Sequence, residues 1–248
     1  MITLRRASER HCEQHADPPG TSESLLSFAP ELGTAQAAEG FGALRSLTES
    51  RLPPGGSVEH APLTDAEVLL YVRAGTLAYG DSLGGSGVLR AGEVQQRTAA
   101  DRVRHRETNT SHTEVAHYFT LAFALPQVGL APGRQQQRFS VALRSGSLCV
   151  IASPDAQRDS LGLHLDALVS SALLEAGQHV VHAIAPGRGA WLHAVEGELG
   201  CGDLVLTTGD GLGIAREPVL SFTARLASEV LVVDLAVPHQ VPSPGGTP

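Results

Sequence analysis

An imidazole and a carboxylate two residues apart, His105 and Glu107, lie in the run Arg102-Val103-Arg104-His105-Arg106-Glu107. In an extended strand alternate side chains share a face, so Val103, His105 and Glu107 point one way and the three arginines the other. Set side by side on an inward face, the pair supplies half of a transition-metal site or a couple for proton transfer. The arginine stripe reads as a solvated strand face. The remaining histidines lack such company. His179 and His182 are three apart, on opposite faces of a strand, and His193 in Trp191-Leu192-His193-Ala194-Val195 reads as a core residue. His112, His164 and His239 have no chelating neighbour, and His11 and His15 flank Cys12 near the N-terminus.

The elements that must position these residues read as strands. Short alternating or apolar runs bounded by Gly, Pro, Asp and Ser recur, among them Glu67–Val72, Thr76–Tyr79, Glu93–Thr98, His117–Leu125, Val219–Ala224 and Val230–Val237. This is the pattern of an all-β sandwich or barrel. Residues 164–175 fit strand or helix, Pro126–Arg138 reads as a linker, and the Pro/Gly-rich tail Pro238–Pro248 as loose. A weak internal repeat supports two copies of one unit. Val72-Arg73-Ala74-Gly75-Thr76-Leu77 with Ala91-Gly92-Glu93 is echoed by Val195-Glu196-Gly197-Glu198-Leu199 with Thr208-Gly209-Asp210.

Composition narrows the chemistry. The 248 residues carry 42% hydrophobic and 18% charged residues, a globular balance long enough for two modest domains. All eighteen basic residues are arginine. With no lysine there is no Schiff-base lysine, no lysine-anchored pyridoxal phosphate and no Walker A lysine. A net charge of -8 argues against direct nucleic-acid binding. No run suits a membrane span, the first residues lack the apolar core of a signal peptide, and a cytoplasmic location is expected. Cys12, Cys149 and Cys201 have spacings of neither a disulfide framework nor a zinc site.

The turn patterns resemble those of cupins, and the chain resembles a bicupin of the pirin family from its N-terminus to about Pro238. The resemblance rests on Gly40-Phe41-Gly42-Ala43-Leu44-Arg45, Arg51-Leu52-Pro53-Pro54-Gly55-Gly56 and Tyr79-Gly80-Asp81-Ser82-Leu83-Gly84. Arg104-His105-Arg106-Glu107-Thr108-Asn109, Ile151-Ala152-Ser153-Pro154-Asp155 and Leu231-Val232-Val233-Asp234-Leu235 extend it. It implies an all-β fold of two tandem cupin (double-stranded β-helix, jelly-roll) barrels, divided as residues 1–134 and 135–248.

Metal-binding pirins carry a His-Pro-His segment, an Asp-x-Glu soon after it and a later His-x-Glu. With Pro54-Gly55-Gly56 and Asp65-Ala66-Glu67 aligned, the first motif falls on Ala61-Pro62-Leu63, so two imidazoles are replaced by a methyl and an isobutyl group. His105 and Glu107 match the remaining ligands. His60 is one residue out of register and faces away unless a bulge turns it inward. Glu59, two residues before Ala61, falls on the ligand face.

The resemblance is thus closest to the metal-poor, redox-sensitive branch of the family. Leu125, before Pro126-Gln127, replaces that branch's cysteine, and Cys12 remains as the redox candidate, its thiol acidified if His11 and His15 were protonated. No cofactor is expected beyond weak residual iron, nickel, manganese or zinc. The implied function is a small-molecule-binding, stress- or redox-responsive or regulatory bicupin, a monomer partnered by a small molecule or another protein. The alternative is a quercetin 2,3-dioxygenase-like oxygenase using His105, Glu107 and His60. A metal-free acid–base enzyme and a transcriptional cofactor are the remaining classes.

Overall fold

The computed structural model describes residues 1–17, 20–28, 40–60, 62–99 and 103–237. The tail from Pro238, with His239, lies outside them, as do Ala61 and Arg102. The first half contributes β1 (Ile2–Arg5), β2 (His11–Asp17), β3 (Gly20–Phe28), β4 (Leu44–Leu52), β5 (Ser57–His60), β6 (Ala66–Ala74), β7 (Thr76–Asp81), β8 (Ser86–Arg90), β9 (Glu93–Thr98), β10 (His105–Asn109), β11 (Ala116–Ala124) and β12 (Gly133–Arg138). A single helical turn, α1 (Val141–Arg144), follows. The second half adds β13 (Cys149–Ser153), β14 (Leu161–Gly162), β15 (Ala167–Leu174), β16 (His179–Ala183), β17 (Arg188–Glu196), β18 (Glu198–Cys201), β19 (Leu204–Thr207), β20 (Gly211–Ala215), β21 (Val219–Ala224) and β22 (Ser228–Ala236).

Each barrel pairs a seven-stranded sheet with a four-stranded one. The first uses β12-β9-β6-β11-β4-β3-β2 and β5-β10-β7-β8; the second uses β1-β20-β17-β22-β15-β13-β14 and β16-β21-β18-β19. The two-copy reading is therefore sound, and its turns explain why. Gly75, Gly92, Gly197 and Gly209, the glycines of the repeat, all have positive φ, between 79° and 95°, a conformation in which a Cβ is strained.

Two places depart from expectation, and one open reading is settled. The stretch read as a linker ends in β12, which pairs with β9, so the 134/135 division falls inside a strand of the first barrel. Gln135 and Gln137 reach across to Gly162 and Asp159 of the second barrel, and these glutamines tie the segment down. At the other end β1 pairs with β20, placing the first strand in the second barrel's sheet. The ambiguous segment 164–175 resolves as strand β15, held between β13 and β22. No helix among the described residues is long and apolar enough to cross a membrane.

The largest core lies between the barrels. Alternation along β6 sends Leu69 and Tyr71 into it, with Phe119, Phe123, Trp191 and Leu231, while Leu70 and Val72 face the first barrel's interior. Polar links cross the same seam. The Tyr71 hydroxyl and Arg144 Nη1 both donate to the buried Glu229 carboxylate, and Arg73 Nε donates to it at 3.0 Å. His164 pairs with the fully buried Glu67 at 3.0 Å.

Candidate functional site in the first barrel

Strand β10 is positioned by its last residue. Asn109 Nδ2 donates to the carbonyls of Leu52, Pro53 and Glu114, and its Oδ1 accepts from Ser111 N–H. The strand anchored this way alternates as the sequence implies: His105, Glu107 and Asn109 are buried, whereas Arg104 and Arg106 are exposed.

On either side, β5 and β7 set the register. His105 stands opposite His60 on β5 and Asp81 on β7, and Glu107 opposite Val58 and Tyr79. Directly paired residues share a face, so His60, His105 and Asp81 form one inward row. This corrects the expectation for His60, which faces inward without a bulge because its pairing to His105, rather than its offset from the proline motif, fixes its direction. Glu59 accordingly faces outward and accepts from Arg104 at 3.4 Å. Leu63 is half-buried outside any strand and joins no core cluster.

Glu107 is the centre of the site. Its side chain is 1% exposed, with His60 Nε2 at 2.7 Å from Oε2 and Arg97 Nη1 donating to Oε1 at 3.1 Å. The His60 contact is an ion-pair distance rather than a well-aligned hydrogen bond, since Oε2 has no partner of good geometry. Burial alone would raise the carboxyl's pKa, but His60 and Arg97 hold it at about 2. His105 goes the other way. Burial, then the charge of Arg97, lowers its pKa to about 4, so it is neutral at physiological pH.

Arg97 is the residue that reading the sequence missed. It lies on β9 opposite Val68 and opposite Arg134 of β12, and it is nearly buried. Arg134 donates to Asp81 Oδ2 at 2.5 Å and lies over the Tyr79 ring, while Asp81 Oδ1 accepts from the N–H groups of Leu83 and Gly85. Burial opposes ionisation of Asp81, and these three donors overcome it to lower its pKa. Two hollows meet at His105. One of about 320 Å³ runs past Glu59, Gly80, Ser82 and Arg104. The other, about 270 Å³, lies between Arg97 and Arg134 with Leu83, Val103 and Pro132. A larger cleft of about 1070 Å³ at the inter-barrel seam shares no lining residue with them, and its Glu229 is paired to Arg73 and Arg144.

Cys12, the redox candidate, sits exposed on β2, away from this site. What burial it has, then Glu23 and Glu13, raise its thiol pKa. The flanking histidines do not acidify it. His193 is fully buried, as the core reading implies, but neither ring nitrogen has a hydrogen-bond partner.

Residues 12–121 match the family described as Pirin, and residues 150–235 the Quercetinase C-terminal cupin domain. A quercetin 2,3-dioxygenase of Escherichia coli is 34% identical over 235 residues, covering 95% of this chain and 99% of the relative. The chain belongs to the pirin family. Among solved structures, the bacterial pirin YhhW of Escherichia coli in complex with nickel(II) superposes with a TM-score of 0.82 at 31% identity, over 96% of this chain and 100% of that one. YhaK of Escherichia coli, at 23% identity and a TM-score of 0.72 over 93% and 95% of the two chains, shares the fold. Identity thus runs to the nickel-complexed pirin more strongly than to this structural neighbour.

A pirin metal does not fit the donors as they stand. No three His, Cys, Asp or Glu side chains converge as a metal-holding group among the described residues, and the carboxylate of Glu107 is already held by a guanidinium. Two unit charges about 4 Å apart repel by about 4 kcal/mol at an effective dielectric constant of about 20, and a dication doubles that. Arg97 holds one oxygen of Glu107 and repels a cation beside it, and the other oxygen faces His60 at 2.7 Å.

Proposed function

We propose that this pirin-family bicupin binds a small organic molecule at the mouth of its first barrel without a metal. The observation that carries the reading is the Arg97–Glu107 pair, which places a permanent cation on the carboxylate otherwise available as a ligand. A neutral His105 on the wall of both hollows offers one donor and one acceptor to a bound molecule. With a pKa of about 4 it is a weak base, which favours recognition over proton abstraction. A regulatory role, with a monomer reporting the bound ligand to a partner protein, is consistent with such a site.

A quercetin 2,3-dioxygenase activity is the second reading, favoured by the 34% identical relative of that name and by the nickel(II) complex of YhhW. It requires His60, His105 and Glu107 to turn to a common ion against the charge of Arg97. One experiment separates the two. The protein is expressed in medium supplemented with iron, nickel and manganese, washed with chelator, and assayed for bound metal and for oxygen-dependent loss of quercetin absorbance. The first reading expects substoichiometric metal and stable absorbance. Stoichiometric, chelation-resistant metal with quercetin turnover replaces it by the second.

A further inference from the structure

Arg97 and Arg134 are direct cross-strand partners on β9 and β12. Like charges placed opposite each other destabilise a strand pair unless something negative lies between or beside them. Each guanidinium has one carboxylate: Glu107 for Arg97 at 3.1 Å and Asp81 for Arg134 at 2.5 Å. One carboxylate each does not use up the five donors of either guanidinium fork. A buried donor left unpaired is costly, and such groups normally meet protein, water or ligand. Both residues line the same hollow of about 270 Å³, whose other walls include Leu83, Val103 and Pro132.

We infer that this hollow holds a small organic monocarboxylate, its two oxygens shared between Arg97 and Arg134 and its apolar body against Leu83, Val103 and Pro132. The inference rests on the metal-independent reading above and adds the class of ligand. Arginine suits the task because its planar fork matches the two oxygens of a carboxylate. Size points to a short or single-ring acid, since pockets for drug-sized ligands span roughly 300–1,000 Å³ and this one is smaller. The neighbouring hollow, with Glu59, Arg104 and Arg106, lies on the outward face of the sheet, so this one alone takes the ligand.

Ligand-observed fluorine NMR with para-fluorobenzoate tests this directly, with para-fluorobenzamide as the uncharged isostere. The acid is expected to bind the full-length, chelator-washed protein and the amide to fail. Arg134→Met, at a partly exposed position, should weaken acid binding by roughly tenfold, the loss of one charge-assisted hydrogen bond. Arg134→Lys should recover part of it, and melting curves confirm that both variants fold. Equal binding of the amide, no binding of the acid at millimolar concentration, or unchanged affinity in Arg134→Met overturns the carboxylate site while leaving metal independence standing. Acid binding that appears only after nickel is added overturns the metal-independent reading, and the site with it.

Discussion

Inside the second barrel, Leu192, Leu212, Leu220 and Phe222 close on Val230 and Val232. The equivalent space in the first barrel keeps Leu70, Val72 and Leu77 at one side but gives the rest to Gln95, Arg97, His105 and Glu107. Gln95 has neither amide atom paired, and the Tyr118 hydroxyl is likewise buried without a partner of good geometry. The two share a strand plan, so the contrast isolates what the filling does. Apolar side chains stabilise in proportion to area removed from water. Buried polar groups return little net stability and are costly when unpaired. The second barrel is the scaffold, and the first gives up part of its packing to hold a site.

The comparison can be broken most readily at its centre. Glu107→Ala leaves Arg97 buried and uncompensated, with an expected loss of about 3–5 kcal/mol in urea unfolding, whereas the paired change Arg97→Met with Glu107→Leu should cost far less. A small effect of Glu107→Ala would show the first barrel's interior to be open to water. In the second barrel, Leu192→Ala should cost about 2–5 kcal/mol through the cavity it leaves, with no effect on ligand binding in the first.

Acidity sharpens the contrast. Glu107, held at about 2 against an ordinary 4.5, contributes stability that is full above about pH 4.5 and lost as pH falls toward 2. His193, between the barrels near Arg10, Glu49 and Asp210, is held by burial at about 4 against 6.5. The unfolded chain therefore takes this proton first, and stability declines as pH drops from 6.5 to 4, by roughly 3 kcal/mol in all. Urea midpoints at pH 7 and 4.5 should differ in the native protein and differ less in His193→Leu. Tyr71→Phe, which removes one donor to Glu229 at the seam, should cost about 1–2 kcal/mol. Cys12→Ser should change stability by less than about 0.5 kcal/mol, and iodoacetamide should modify Cys12 slowly at pH 7 because its thiol pKa is raised.

Strand alternation and glycine turns carried most of the fold into view. β21 spans Val219–Ala224 and β9 spans Glu93–Thr98, as their residue patterns imply. Strand alternation put His105 and Glu107 together on one face, and both are buried there. His60 and Glu59 were assigned to the wrong faces because side-chain direction follows from the partner strand, and β5 takes its register from β10. Arg97 carried a signal that went unused: it alternates with Gln95 along a strand whose partner residues Val68 and Leu70 are buried. A charged residue on such a face must have a counter-ion, and Glu107 is that counter-ion. The Gly133–Arg138 strand was hidden because its glutamines have no apolar period and instead bridge two barrels.

The place of β1 in the second barrel's sheet has a consequence for how the chain must be assembled. Ile2 pairs with Ile214, so β1 leaves the ribosome long before the edge it completes has been made. Until β20 arrives, that segment has no partner, and the seven-stranded sheet it finishes cannot close. The second barrel is therefore completed late, once β20 exists for β1 to join. Cutting the gene at the apparent domain boundary would leave each half with an unpaired strand edge.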